Sequence, residues 1–433
     1  MRLLDLQRRL PAVLPHPLRA LLGTRVHVPD DLSAVTQIDH AAECEPQRVA
    51  MSDEGVARIW SAVENFYRTG LQPAITLVMR RQGRVLMKRS IGCVRGNLPG
   101  EEQDFEPLTP DTPISLFSAS KSISALLVHK AAELGLLQLH DHIADHIPEF
   151  AAAGKAAVTV RDLLAHRAGI PAVPQVEPAP ELLRQWDKII ALLCAERPFD
   201  RHFERQAYHA LSAGFITGEL LRRVTKRELP ELMREWLAEP LQLRYLTYGL
   251  KPELRHLAPP NVQTGVKPYW PATRYIERVV GVSFDAAIHA SNDDAFLSAV
   301  VPAGNIYASA DDVSRVFQML LDGGELDGRR VLKAQTVREA LRPVGAMQLD
   351  RTLLLPMRYS AGFMLGENPF GLFGLKSRRA FGHLGFVNVL AWADPSRDIS
   401  VALLNTGKSL EPAAYVRLIG VVHAIGKACS RLD

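Results

Sequence analysis

Apolar positions recur along this chain in distinct rhythms. From Asp53 to Leu71 (DEGVARIWSAVENFYRTGL), Val56, Ile59, Trp60, Val63 and Phe66 fall every three or four positions, the spacing of one helix face. ITLVMRR and RVLMKRS then flank Gln82-Gly83 and read as two strands joined by a tight turn. From Ser118 to about residue 290 helical periods dominate, with prolines at 171, 174, 178 and 180 marking a long loop. Strand patterns return in VNVLAWAD and DISVALLN, hinged on Asp394-Pro395-Ser396-Arg397, where proline suits the second position of a type I turn. A final helix follows Pro412, through Tyr415, Leu418, Ile419 and Val422.

Helix, hairpin, helical insertion, hairpin, helix is not the βαβα alternation of a parallel sheet. It predicts an α+β fold, with one antiparallel sheet assembled from both chain ends, flanked by the terminal helices, beside a mostly helical lobe. The expected division is 1–50 as an N-terminal extension, 51–117 and 298–433 as the α/β sheet lobe, and 118–297 as the mostly helical lobe. A cleft between the lobes is where small-molecule chemistry is expected.

At 433 residues the chain is long enough for about three domains or one composite core. Hydrophobic residues at 47% and charged residues at 23% exclude a disordered chain or a fibrous repeat. The 51 Lys and Arg against 47 Asp and Glu leave +4, spread without the basic stripe that nucleic acid needs, so no nucleic-acid partner is expected. Cys44, Cys93, Cys194 and Cys429 lie far apart with no CxxC, which indicates neither a zinc site nor a disulfide framework and fits a reducing, cytoplasmic setting. In MRLLDLQRRLPAVLPHPLRALLG, Asp5, Arg8, Arg9 and Pro11 interrupt any export-signal core, so the segment is read as retained. Leu3, Leu4, Leu6 and Leu10 with Arg2, Arg8 and Arg9 leave open a membrane-touching amphipathic helix as the alternative to simple packing. No stretch reaches the roughly 18 apolar residues of a membrane span, since the longest charge-free run, Ala295 to Ala310, contains Pro302, Gly304 and Asn305.

The GxSxG elbow, the Walker A loop, GxGxxG and HExxH are missing, which removes several large enzyme classes. LFSASKSISALLVHKAAELG stands out. Ser118 and Lys121 are three residues apart at the start of a helix whose apolar positions are Ile123, Leu126, Leu127, Ala131 and Leu134, stopped by Gly135. Residues so spaced lie side by side, so the Lys121 amine can sit against the Ser118 hydroxyl. The positive helix N-terminus and desolvation would depress the lysine pKa toward a neutral amine able to accept a proton. A serine three before a lysine also arises about once by chance in a chain of this length, and alone it reads rather as a capped helix with a solvated lysine.

Two further segments supply context: Tyr208 in AYHALSAGFITGELLRRVT, just ahead of a helix, and FGHLGF at 381–386, which opens a strand. The three together resemble the serine β-lactamase and penicillin-binding protein superfamily, and within it the class C β-lactamase-like esterase branch. The resemblance runs from about Val56 to Ile425 and includes TVRDLLAHRAGI, PAGNIYASADDVSRVFQMLLDGGELDGRRVL and the hairpin around WADPSRD. It implies a β-lactamase/transpeptidase-like fold, with Ser118 as the acylated nucleophile and Lys121 as its activating neighbour in an SxxK motif. Tyr208 matches the tyrosine of the YxN or YxS motif, a proton shuttle if cations nearby lower its pKa. His383-Leu384-Gly385 stands in the place of KTG, and by that analogy the Phe386 N–H is a second oxyanion donor beside that of Ser118. The resemblance thus makes His383, Gly385 and Phe386 substrate-binding residues.

The departures point to esters. The KTG lysine is a fixed cation suited to the carboxylates of penicillins, cephalosporins and peptide termini, whereas His383 is mostly neutral near pH 7. Ala210 replaces the family's asparagine, and Ser291-Asn292-Asp293 is a scrambled SDN. An ester's better leaving group needs less protonation than an amide's. The expectation is a serine hydrolase acting through an acyl-enzyme on short-chain, small-molecule carboxylic esters, with no metal and no organic cofactor. The alternatives are a β-lactamase or D-alanyl carboxypeptidase and a non-catalytic binding or regulatory homologue.

Other candidates have plainer readings. HDHIADH at 140–146 nearly spells the HxHxDH zinc motif but has one residue too many and follows a helix, so it is read as a solvated connection. His166, before Gly169, is read as satisfying helix-terminal carbonyls, and His209 as scaffold or pocket wall. Ser120 cannot share the helix face of Lys121.

Overall fold

The computed structural model describes residues 23–101, 103–174 and 180–432. The readings made on the N-terminal segment through residue 22 and on Pro178 lie outside the described residues. The main sheet contains β1 (Thr36–Ile38), β2 (Ala74–Arg81), β3 (Arg84–Arg95), β4 (Met364–Leu365), β5 (Phe381–Leu384), β6 (Leu390–Asp394) and β7 (Ile399–Asn405). Their order is β1-β3-β2-β7-β6-β5-β4, antiparallel throughout, and Glu106–Pro107 pairs with β3. The two chain halves meet at its centre, where β2 and β7 pair from Ile75 opposite Asn405 to Arg81 opposite Ile399.

Local chemistry explains the long elements. Gln82 and Gly83 both take left-handed backbone (φ 49° and 75°), the two-residue turn whose twist matches that of the strands it joins. In the second hairpin Arg397 N–H donates to the Asp394 carbonyl at 3.1 Å, closing the turn predicted at Pro395. Helix α1 (Asp53–Tyr67) starts at Ser52, whose hydroxyl accepts from Gly55 N–H at 3.1 Å, with Asp53 and Glu54 complementing the helix dipole. Its predicted face, Val56, Ile59, Trp60, Val63 and Phe66, is buried. Thr36–Ile38, within the segment read as an N-terminal extension, is an edge strand; Glu43 secures it by accepting from Lys88 N–H and the Arg89 guanidinium.

The helical lobe contains α2 (Ser120–Glu133), α3 (Val160–Leu164), α4 (Trp186–Ala195), α5 (Ser212–Thr225), α6 (Ala272–Val280) and α7 (Phe284–Asn292). Helix α8 (Ala310–Leu321) packs on β7, β6 and β2, while α9 (Pro412–Ala428) packs on α1. With both faces covered, β2 and β7 are buried along their whole length. Helix α2 is also buried on nearly all sides, Lys121 included. It ends as predicted at Gly135 (φ 75°), with Leu136 N–H bonded back to the Ala131 carbonyl at 3.0 Å. Leu134, expected on its apolar face, is 52% exposed, because it is the residue that ends the helix and the last buried residue of α2 is Ala131.

Candidate active site

The turn before α2 meets the end of β5 at the seam between the lobes. Phe117 has a left-handed backbone (φ 46°), which a bulky residue holds only when its surroundings fix it. Its ring lies 5.5 Å from that of Phe386 and 4.8 Å from Lys408 Nζ. This kink leaves Ser118 partly exposed, with Lys121 one helical turn further on. Lys121 Nζ is 3.0 Å from Ser118 Oγ, 2.9 Å from Tyr208 Oη and 3.1 Å from the Ala303 carbonyl. Asn305 shapes the turn carrying Ala303, accepting from Val301 N–H and donating to the Phe296 and Ala299 carbonyls.

Lys121 is 8% exposed, and burial holds its pKa well below the ordinary lysine value. A neutral amine has two N–H groups and one lone pair. With the N–H groups on Ala303 and Tyr208, the lone pair is left for the Ser118 hydroxyl. Burial pushes the Tyr208 phenol above the ordinary tyrosine value, outweighing its hydrogen bond with Ser118. Tyr208 therefore stands as a neutral phenol, a proton donor in place.

A carboxylate anchors that tyrosine. Buried Asp350 accepts through Oδ1 from the N–H groups of Tyr208 (3.0 Å), Thr352 (2.9 Å) and Leu353 (2.8 Å), and through Oδ2 from the Tyr359 hydroxyl (3.0 Å). The His166 ring lies 4.8 Å from both the Tyr208 and Tyr359 rings, and its Nδ1 accepts from His209 N–H at 3.1 Å. Burial holds His166 well below the ordinary histidine value and His209 at about 3, so both are neutral.

Ser118 and Tyr208 open onto a pocket of about 650 Å³, which Gly385 and Phe386 also line. Among the described residues, no Asp, Glu, Lys, Arg or His lines it. Gly385 approaches the Ser118 turn so closely that a Cβ there would meet the Leu116 carbonyl oxygen at 2.4 Å. Among the described residues neither Ser118 N–H nor Phe386 N–H donates a hydrogen bond. His383 does not line the pocket. It is buried, its Nδ1 donates to the Leu384 carbonyl at 2.7 Å, its ring is 6.1 Å from that of Tyr208, and burial lowers its pKa to about 3.

A family model described as Beta-lactamase matches residues 63–422. The chain belongs to the β-lactamase family. This family member is 30% identical over 343 residues to an esterase/β-lactamase, LipL, of Mycobacterium tuberculosis, a match covering 75% of this chain and 77% of that one. Its fold is similar to that of a family VIII carboxylesterase, at 27% identity and TM-score 0.73, covering 89% of this chain and 98% of the other. It is also similar to a penicillin-binding protein homologue from Caulobacter crescentus, at 26% identity and TM-score 0.72, covering 88% and 99%. The β-lactamase/transpeptidase-like α+β fold expected from the sequence is thereby established, and the chain is a serine hydrolase.

Within this β-lactamase-family site, Ser118, Lys121 and Tyr208 come together, with Gly385 and Phe386 beside them and His383 behind the pocket wall. Three groups went unread: Asp350, the Ala303 carbonyl and Lys408. The Pro302-Ala303-Gly304-Asn305 turn signal could have found the second; a lone aspartate in QLDRTLLLP and a lysine after a strand carry no local signal. Ser120 Oγ accepts from Ile306 N–H at 3.0 Å. In HDHIADH, His146 pairs with Asp141 at 2.9 Å and Asp145 accepts from His142 N–H. Among the described residues no three His, Cys, Asp or Glu gather to hold a metal ion, and no helix is long and apolar enough to cross a membrane.

Proposed function

We propose that this β-lactamase-family chain hydrolyses carboxylic esters through an acyl-enzyme on Ser118. The observation that carries this reading is the buried Lys121 amine, 3.0 Å from Ser118 Oγ and 2.9 Å from Tyr208 Oη. Ser118 Oγ attacks the ester carbonyl as its proton passes to neutral Lys121, while the Ser118 and Phe386 N–H groups receive the developing oxyanion. Tyr208 donates its proton to the departing alkoxide and recovers one from Lys121. Water then repeats the sequence on the acyl-enzyme, with Lys121 as base and Ser118 as leaving group. No step draws on a metal or an organic cofactor.

The uncharged lining favours esters without a carboxylate near the reacting bond, since an unpaired charge is costly to desolvate. A cytoplasmic setting fits the four free cysteines, three of them buried. Short-chain p-nitrophenyl acetate and butyrate are the first probes, with mass spectrometry for acylated Ser118. Ser118→Ala is expected to lose about 10⁴-fold or more in kcat. Turnover undiminished in that variant, with no acyl adduct on Ser118 in the native protein, refutes the assignment.

A further inference from the structure

Leaving-group chemistry separates esters from amides and is silent on chain length; the pocket is where chain length is decided. We propose that the preferred substrates carry a long apolar acyl chain, of octanoyl length or beyond. This rests on the ester reading above and departs from the short-chain expectation. At about 650 Å³ the pocket has room for far more than an acetyl or butyryl group.

Its walls come from three separate apolar clusters. Leu182 and Ile189 belong to the helical-lobe cluster, Met364 and Leu390 to the cluster beneath the sheet, and Ile276 and Val387 to the small cluster joining α6 and α7. A pocket at such a junction offers apolar contact on every side, with Ser118 and Tyr208 among its few polar groups. The apolar lining also continues to the surface. Tyr275, Leu355 and Tyr415 line the pocket yet are 36%, 47% and 38% exposed. Tyr275 hydroxyl donates to the Leu353 carbonyl at 2.9 Å, tying α6 to the loop that carries Leu355. A chain running outward from Ser118 thus keeps losing contact with water along its length, whereas an acetyl group leaves most of the lining unfilled. Each further methylene buried in the transition state is expected to raise kcat/KM by about fourfold until the lip is reached.

The test measures kcat/KM for p-nitrophenyl acetate, butyrate, octanoate and dodecanoate, below their micellar concentrations, together with binding of the fluorescent, uncharged methyl ester of cis-parinaric acid to Ser118→Ala. The expected result is a rise from acetate to at least octanoate, and micromolar binding of methyl parinarate displaced by methyl dodecanoate. Ala287→Trp, which adds bulk to the α7 wall, is expected to lower the octanoate-to-acetate ratio about tenfold or more. A profile peaking at acetate or butyrate, with Ser118-dependent turnover intact, overturns this inference and leaves the ester reading standing. Methyl parinarate binding without hydrolysis of any ester sustains the long-chain pocket and defeats the ester reading. Absence of methyl parinarate binding in a folded Ser118→Ala protein overturns the long-chain inference.

Discussion

Lys121 can act as a base because the fold keeps water and carboxylates away from its amine, so its protonation is the variable to test. Its pKa lies below the ordinary lysine value through burial, and only the unprotonated form accepts the Ser118 proton. Ester kcat/KM should therefore fall as pH drops through that lowered value. Lys121→Arg should lose about 10³-fold in kcat across about pH 5 to 9, because a guanidinium does not deprotonate there. An arginine variant with the native pH profile would remove Lys121 from the mechanism. The neighbouring histidines make a separate stability prediction. Burial brings His209 and His383 from 6.5 to about 3 in the fold. Below 6.5 the unfolded chain binds protons that the native one refuses, so stability falls as pH drops from 6.5 toward 3, by up to about 1.4 kcal/mol per pH unit for each histidine. Melting temperatures of the native protein and His209→Gln over this range should show a shallower acid slope in the variant.

At the scale of elements, the reactive geometry depends on how closely the end of β5 approaches the turn before α2. Gly385→Ala would place a Cβ 2.4 Å from the Leu116 carbonyl oxygen and 2.7 Å from Val389 Cβ, so strand and turn must separate. That displaces the Phe386 N–H from Ser118, and a loss of about 10²-fold or more in kcat is expected, as for removal of one oxyanion donor. Gly83→Ala is the control. Its Cβ meets nothing within 4 Å, so only the left-handed backbone is penalised, by about 1 kcal/mol, with kcat unchanged. Elements with local signals were readable in advance: the Gln82-Gly83 hairpin, α1 behind Ser52, and the Ser118–Lys121 pair fixed by one helical turn. What the sequence hid depends on distant segments. Lys121 and His129 look like the polar side of α2, and they are buried only because α5, the Ala303 turn and Ala361 close over them. Asp350 acquires its role from Tyr208, 142 positions away, and His383 reads as a strand residue until Tyr208 packs over it.

At the scale of the whole molecule, both lobes contribute apolar walls to the pocket, and among the described residues none brings it a fixed charge. This bears directly on which of the family's substrates can be used. A cephalosporin must bring its carboxylate out of water near the reacting carbonyl, a step that needs a cation to be favourable. The basic groups near Ser118 do not meet that need. Lys121 is held toward its neutral form and bonded to Ala303, His383 is neutral behind the wall, and Lys408, lowered to about 7, donates to the Asn405 carbonyl at 3.0 Å under Phe117. Nitrocefin should therefore acylate Ser118, opening its lactam ring, with kcat/KM about 10³-fold or more below that for the best p-nitrophenyl ester, a deficit of roughly 4 kcal/mol that matches one unpaired desolvated charge. Side-by-side kinetics on one preparation decide it: comparable values would mean that a cation reaches the substrate in the complex, and Lys408→Met would show whether Lys408 supplies it.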